Sequence, residues 1–280
     1  MRFRLFVAAL FLSACATTAL PDPAEIVTAE RAFAADGLAR GVKASFLAFS
    51  AADAIIFNPD PANAQEVFAA APDPDPARPR PPLIWWPLYA GISKSGDLGF
   101  TTGPYAVGDE RRGHYFTVWK KQPDGAWKWV IDAGVGADAS GEAGRGSSVA
   151  FLATGATGSP SADAAWREIA DIEAAIASAA REDVSSAYEP YLDPDSRLHS
   201  EGPPPAKDIA ARRAAFSARP ERLDFSPLGG GASDAGDLAW TYGEGRFLEG
   251  GAARKGHYVR VWQKRAAGWR LVFDEFLAPQ

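Results

Sequence analysis

The sequence is poor in the residues that staple small folds and hold metals. One cysteine stands in 280 residues, so neither a disulfide framework nor a thiolate metal cluster can form. Histidines number three, and no metal-ligand spacing of His, Asp and Glu is present, so neither a metal nor another cofactor is expected. A clustered basic face is missing too. The 29 Lys and Arg are outnumbered by 35 Asp and Glu, which argues against nucleic acid as a partner. The longest leader-like apolar run, Leu5 to Leu12, is too short to span a bilayer as a mature helix. Gly229-Gly230-Gly231 lacks the strand–helix context of a phosphate loop and reads as a loop. What remains is 47% hydrophobic and 23% charged, the composition of a soluble globular protein, and long enough for two domains.

Met1-Arg2-Phe3-Arg4 is a basic start, Leu5 to Leu12 an apolar core, and Leu12-Ser13-Ala14-Cys15 closes the leader. That ending resembles the lipobox of bacterial lipoproteins, which implies lipidation at Cys15. The alternative is an ordinary signal peptide cut at a small residue nearby. By the same resemblance, Ala16 implies transfer to the outer membrane, facing the periplasm. The expected organisation is a leader over 1–15, a tether over 16–23, a first domain over 24–136, a Gly/Ala/Ser-rich linker over 137–162 and a second domain over 163–280.

The two domains announce themselves as a repeat. GDLGFTTGPY from Gly96 returns as GDLAWTYGEG from Gly236, an offset of 140. GHYFTVWKKQPDGAWKWVID from Gly113 returns as GHYVRVWQKRAAGWRLVFD from Gly256, an offset of 143. So small a drift over such a distance means that whole units repeat. Each copy reads as a strand, a loop, a Gly-His-Tyr strand ending in Val-Trp, a turn with glycine available, and a closing strand.

Ahead of these strands, Ile26, Ala29/Glu30 and Phe33 predict a helix that stops at Asp36-Gly37, and Leu38, Val42, Phe46 and Phe49 predict a second. Ile55-Ile56-Phe57 predicts a short strand, 62–70 one or two helical turns, 72–82 an extended proline-rich loop, and 83–93 a strand bent at Pro87. The second unit repeats the plan with Trp166, Ile169, Ile172/Glu173 and Ile176, with Arg197-Leu198-His199 as its short strand, and with a helix over 207–218. This order, with LIWWPLYAGISKSGDLGFTTGPY and GHYFTVWKKQPDGAWKWVIDAG, resembles the nuclear transport factor 2-like superfamily, and within it the SnoaL-like group. The resemblance covers about 110 residues per copy. It implies an α+β fold of two tandem cones, each a curved antiparallel sheet wrapped around N-terminal helices, with a pocket on the concave side.

Pairing Lys121 with Ala126 puts His114, Phe116 and Val118 on one face with Trp129, Ile131 and Ala133, and Tyr115, Thr117 and Trp119 on the other with Lys128, Val130 and Asp132. Pairing Lys264 with Gly268 groups His257, Val259, Val261, Leu271, Phe273 and Glu275 against Tyr258, Arg260, Trp262 and Asp274. The apolar face is expected to be concave. The mixed face around Trp119, Trp262, Tyr115 and Tyr258 is then either the contact in an internal pseudo-dimer or a solvated outer surface.

His114 and His257 occupy equivalent places, and an imidazole there is a candidate acid or base. The alternative is that each only caps a strand or packs in its turn. In the second unit, His257, His199 and Glu275 are the candidates for convergence, with Asn58-Pro59-Asp60 and His199-Ser200-Glu201 as pocket-mouth loops. A Tyr–Asp pair can be catalytic in the resembled superfamily, but this face assignment puts Tyr115/Asp132 and Tyr258/Asp274 outside the cones. The leading expectation is an envelope lipoprotein, anchored in the membrane by lipid, that binds a small apolar ligand or a protein without catalysis. The alternative is an isomerase, dehydratase or cyclase acting on a small hydrophobic substrate in the second domain. A structural spacer with filled cones is the third reading.

Overall fold

The computed structural model describes residues 21–277; the leader with Cys15, and residues 278–280, lie outside them. The first unit opens with helix α1 (Ala24–Arg40) and α2 (Val42–Phe49), followed by strands β1 (Ser50–Phe57) and β2 (Pro61–Asn63) and helix α3 (Ala64–Ala70). Strands β3 (Leu83–Trp85), β4 (Tyr89–Ile92), β5 (Leu98–Val107), β6 (Glu110–Lys121) and β7 (Trp127–Gly136) complete it. A two-residue strand β8 (Ala150–Phe151) follows in the linker. The second unit runs α4 (Ala162–Ala180), α5 (Val184–Tyr188), β9 (Arg197–Ser200), α6 (Ile209–Ser217), β10 (Asp224–Ala232), β11 (Leu238–Glu249), β12 (Ala252–Arg265) and β13 (Gly268–Leu277).

The sheets follow one plan. The first is ordered β2-β1-β7-β6-β5-β4-β8, with β3 also on β5, and the second β10-β11-β12-β13-β9. Each has a parallel pair, β1 on β7 and β9 on β13, beside antiparallel hairpins. Each wraps one face around its N-terminal helices, giving two tandem α+β cones.

Several local expectations need correcting. Helix α1 runs through Gly37 and ends at Gly41, whose φ of 86° no other residue adopts easily. Gly37 is there for space, since a Cβ would come within 2.8 Å of the Trp85 ring. Gly229–Gly231 is no loop but the sheet edge in β10, where a Cβ on Gly230 would strike the Trp240 carbonyl.

The hairpin register differs from expectation by a bulge that both units share. Near the turn Trp119 faces Trp129, but beyond it Val118 faces Ile131, so Val130 has no partner. In the second unit Trp262 faces Leu271 and Val261 faces Phe273, leaving Val272 as the extra residue. One inserted residue moves side chains to the opposite face. Trp129 and Leu271 therefore join Trp119 and Trp262 on the helix-covered side. Asp132 faces Thr117, not Tyr115, and Asp274 faces Arg260, not Tyr258.

The faces themselves are the reverse of those expected. The apolar faces are the ones that meet: Phe116 and Phe273 stack at 4.0 Å with 9° between ring planes, and Val259, Val261 and Phe273 share a buried cluster with Val118 and Ile131. The units do pack sheet on sheet, through Phe116 and Phe273 and not through Trp119, Trp262, Tyr115 and Tyr258. A pseudo-twofold relation governs the contact. Lys94 donates its backbone N–H to Asp237 Oδ2 at 2.8 Å, and the equivalent Asp234 donates its own to Asp97 Oδ2 at 3.0 Å. The physical reason for the reversal is a buried carboxylate on the first helix of each unit. Glu30 of α1 and Glu173 of α4 supply acceptors to the indole and hydroxyl groups of the mixed face, which can then be buried under a helix.

Candidate functional site

The concave side of the first unit is built around Glu30. This fully buried carboxylate accepts from Trp85 Nε1 at 2.6 Å, Trp119 Nε1 at 3.0 Å and the Thr101 hydroxyl. Burial holds its carboxyl above the ordinary range, against the pull of these hydrogen bonds. Its place in the helical stripe beside Ala29, repeated at Glu173, was the visible signal for a buried acid.

Above this floor lies a cavity of about 230 Å³. Phe46, Phe57, Leu83, Trp85 and Tyr105 form apolar walls, and Leu277 of the second unit contributes as well. The cavity's polar side chains are Asp132, Tyr115 and the hydroxyl end of Tyr105. Asp132 accepts from Thr117 Oγ1 at 2.8 Å. Burial pushes its carboxyl well above the usual carboxylate range, Thr117 opposing and the Glu30 charge adding to the rise. Burial, with the Glu30 charge adding and Thr101 opposing, likewise raises the Tyr115 phenol, whose enclosed hydroxyl makes no hydrogen bond of ordinary length among the described residues. A carboxyl and a phenol beside an apolar hollow can grip one polar group of a ligand.

The equivalent space in the second unit is filled. Arg260, where the first unit has Thr117, lays its guanidinium 3.8 Å from the Tyr258 ring centroid and 4.6 Å from that of Phe225. It donates to Glu173, to Tyr188 Oη at 2.5 Å and to Asp274 Oδ2 at 3.3 Å. Asp274 also accepts from Arg219 and from Tyr188 Oη at 3.1 Å. Two acids and two guanidiniums thus close a buried network. The alternative reading placed chemistry in the second domain, where Arg260 occupies the space equivalent to the first unit's cavity.

The histidines lie elsewhere. All three are at the seam between units, and none lines the cavity. His114 and His199 pack with ring centroids 5.2 Å apart, and His199 Nδ1 lies 3.4 Å from Glu275 Oε2. Burial, with His114 nearby, holds the His199 imidazole well below its ordinary pKa, and burial raises the Glu275 carboxyl well above its own. His257 does not join them. Its ring packs against Phe57 with centroids 5.4 Å apart and planes tilted by 41°, and it faces Asp60 Oδ1 at 3.3 Å. The candidates His257, His199 and Glu275 are thus divided: His199 and Glu275 lie with His114, and His257 is held in a separate inter-unit contact. Among the described residues, no group of three or more His, Cys, Asp and Glu is placed to hold a metal.

No family model and no curated protein matches the chain. Solved structures do. A nuclear transport factor 2-like protein of unknown function from Shewanella oneidensis is 14% identical, with a TM-score of 0.34, over 40% of this chain and 97% of its own. A second, from Pseudomonas putida, is 16% identical, with a TM-score of 0.36, over 42% and 89%. A ketosteroid isomerase-like protein from Erwinia carotovora is 15% identical, with a TM-score of 0.34, over 41% and 95%. The first two bear the name of the superfamily that the sequence resembles, and each of the three matches spans about the length of one unit.

Proposed function

We propose that the first unit binds a compact, largely apolar molecule carrying one hydroxyl or carbonyl group, and that the second unit is a closed copy that supports it. The cavity carries this reading: apolar walls surround the Asp132 carboxyl, which burial holds above the usual carboxylate range, and the Tyr115 phenol. Asp132 and Tyr115 then fix the ligand's polar group, and the aromatic walls supply affinity. A thermal-shift screen of small phenols and cyclic ketones on the full-length chain tests it, because a bound ligand raises the melting temperature. Ligands that stabilise the wild type and fail to stabilise Asp132→Leu support the reading; no stabilisation by any member contradicts it.

A second reading is favoured by one observation, the raised carboxyl of Asp132 near an unpartnered phenol. In a proton-transfer enzyme of isomerase type, ionised Asp132 would take a proton from carbon beside a carbonyl, and Tyr115 would donate a hydrogen bond to that carbonyl. Turnover would rise with pH as Asp132 ionises, and Asp132→Asn would lose turnover while keeping ligand affinity.

The leader supports placing this site at the cell envelope, lipid-anchored at Cys15 and facing the periplasm from the outer membrane. Cys15→Ala should move the protein out of the membrane fraction; a mature N-terminus at another residue refutes lipidation.

A further inference from the structure

One part of the first cone's wall comes from the second unit. Leu277, at the end of β13, lines the cavity. Its cross-strand partner is His257, whose ring packs on Phe57, itself a lining residue. Three residues beyond Phe57, the Asp60 carboxylate receives Lys255 Nζ at 2.5 Å and faces His257 Nε2 at 3.3 Å. A clasp thus ties the ends of β12 and β13 to the rim of the first cone, and Leu277 is delivered with them. The clasp is partly exposed, so it adds little stability and serves to fix the position of the His257 ring against Phe57.

Resting on the reading of the first cone as a ligand site, we infer that Leu277 sets the size limit of the ligand, which is a one- or two-ring molecule with a single hydroxyl or carbonyl. A dry protein cavity of about 150 Å³ holds benzene. At about 230 Å³, the same proportion gives a ligand of about nine non-hydrogen atoms. The Tyr115 and Asp132 end must stay polar, so added rings can only extend along the apolar walls. Leu277 is the lining residue that the second unit supplies, so replacing it changes the wall and leaves the Glu30 contacts with Trp85, Thr101 and Trp119 in place.

The test is isothermal titration of the full-length chain with phenol, 2-naphthol and 2-phenanthrol, with melting temperatures recorded for each variant. Wild type should bind 2-naphthol at least tenfold more tightly than 2-phenanthrol. Leu277→Ala should narrow or invert that ratio, and Leu277→Trp should weaken 2-naphthol tenfold or more while retaining phenol. Leu248→Ala, at an exposed site far from the cavity lining, should leave all three affinities unchanged. If Asp132→Asn weakens every phenol but both Leu277 variants keep the wild-type ratios, the size-limit inference falls and the ligand site stands. If wild type binds none of the three, both fall.

Discussion

Thr117 and Arg260 stand at the same position of equivalent strands, and each faces the aspartate of the neighbouring strand. Thr117 gives Asp132 one hydrogen bond and leaves the cone hollow. Arg260 reaches past Asp274 to Glu173 and Tyr188 and fills its cone. A single side chain thus separates an open copy from a closed one.

Arg260→Thr should destabilise the protein by about 3–5 kcal/mol, since it strands buried carboxylates that the guanidinium had compensated. Denaturant unfolding measures this. A loss below about 1 kcal/mol would mean that Arg219 alone satisfies the network.

Asp132 should make stability fall as pH rises. Its folded-state pKa is raised above the unfolded value, so the native state holds a proton that the unfolded chain has released. The favourable contribution is complete below the unfolded pKa of about 4 and declines as pH climbs towards the folded one. Asp132→Asn should therefore raise the melting temperature at pH 7 and converge with wild type near pH 4. A melting temperature lowered at pH 7 would contradict the assignment.

Phe116→Ala and Phe273→Ala should each cost about 3–5 kcal/mol. Because the rings stack on one another across the seam, the double variant should cost less than the sum, by about 0.5–1.5 kcal/mol of ring–ring coupling. Additive losses would place the two rings out of contact.

Glu30→Ala should destabilise more than Trp119→Phe. The first leaves the Trp85 and Trp119 indoles and the Thr101 hydroxyl without their acceptor, at about 1–3 kcal/mol for each buried donor. The second removes one donor and part of a ring. Unfolding in urea distinguishes them, and equal losses would contradict the role assigned to Glu30.

These residues also show what could be read from the sequence. The repeat, the helix–strand order and the Pro87 bend follow from periodicity and turn chemistry, which act locally. Face assignment failed because it weighed apolar content alone. Phe116 and Phe273 look like core because they are core, between units. Trp119 and Trp262 look amphipathic because their partner is a glutamate on a helix about ninety residues earlier in the chain. The Val130 and Val272 bulges carry no local signal, and with Asp132 expected outside the cone, its pairing with a cavity was out of reach. Arg260 was legible as a difference between copies; its burial was not.

The central claim, one open cone and one closed cone per chain, is tested most directly by the stoichiometry of 2-naphthol binding in isothermal titration of the full-length protein. The account predicts one site per chain, weakened at least fivefold by Tyr115→Phe and by Asp132→Asn. Two sites per chain, or one site indifferent to both substitutions, would contradict it.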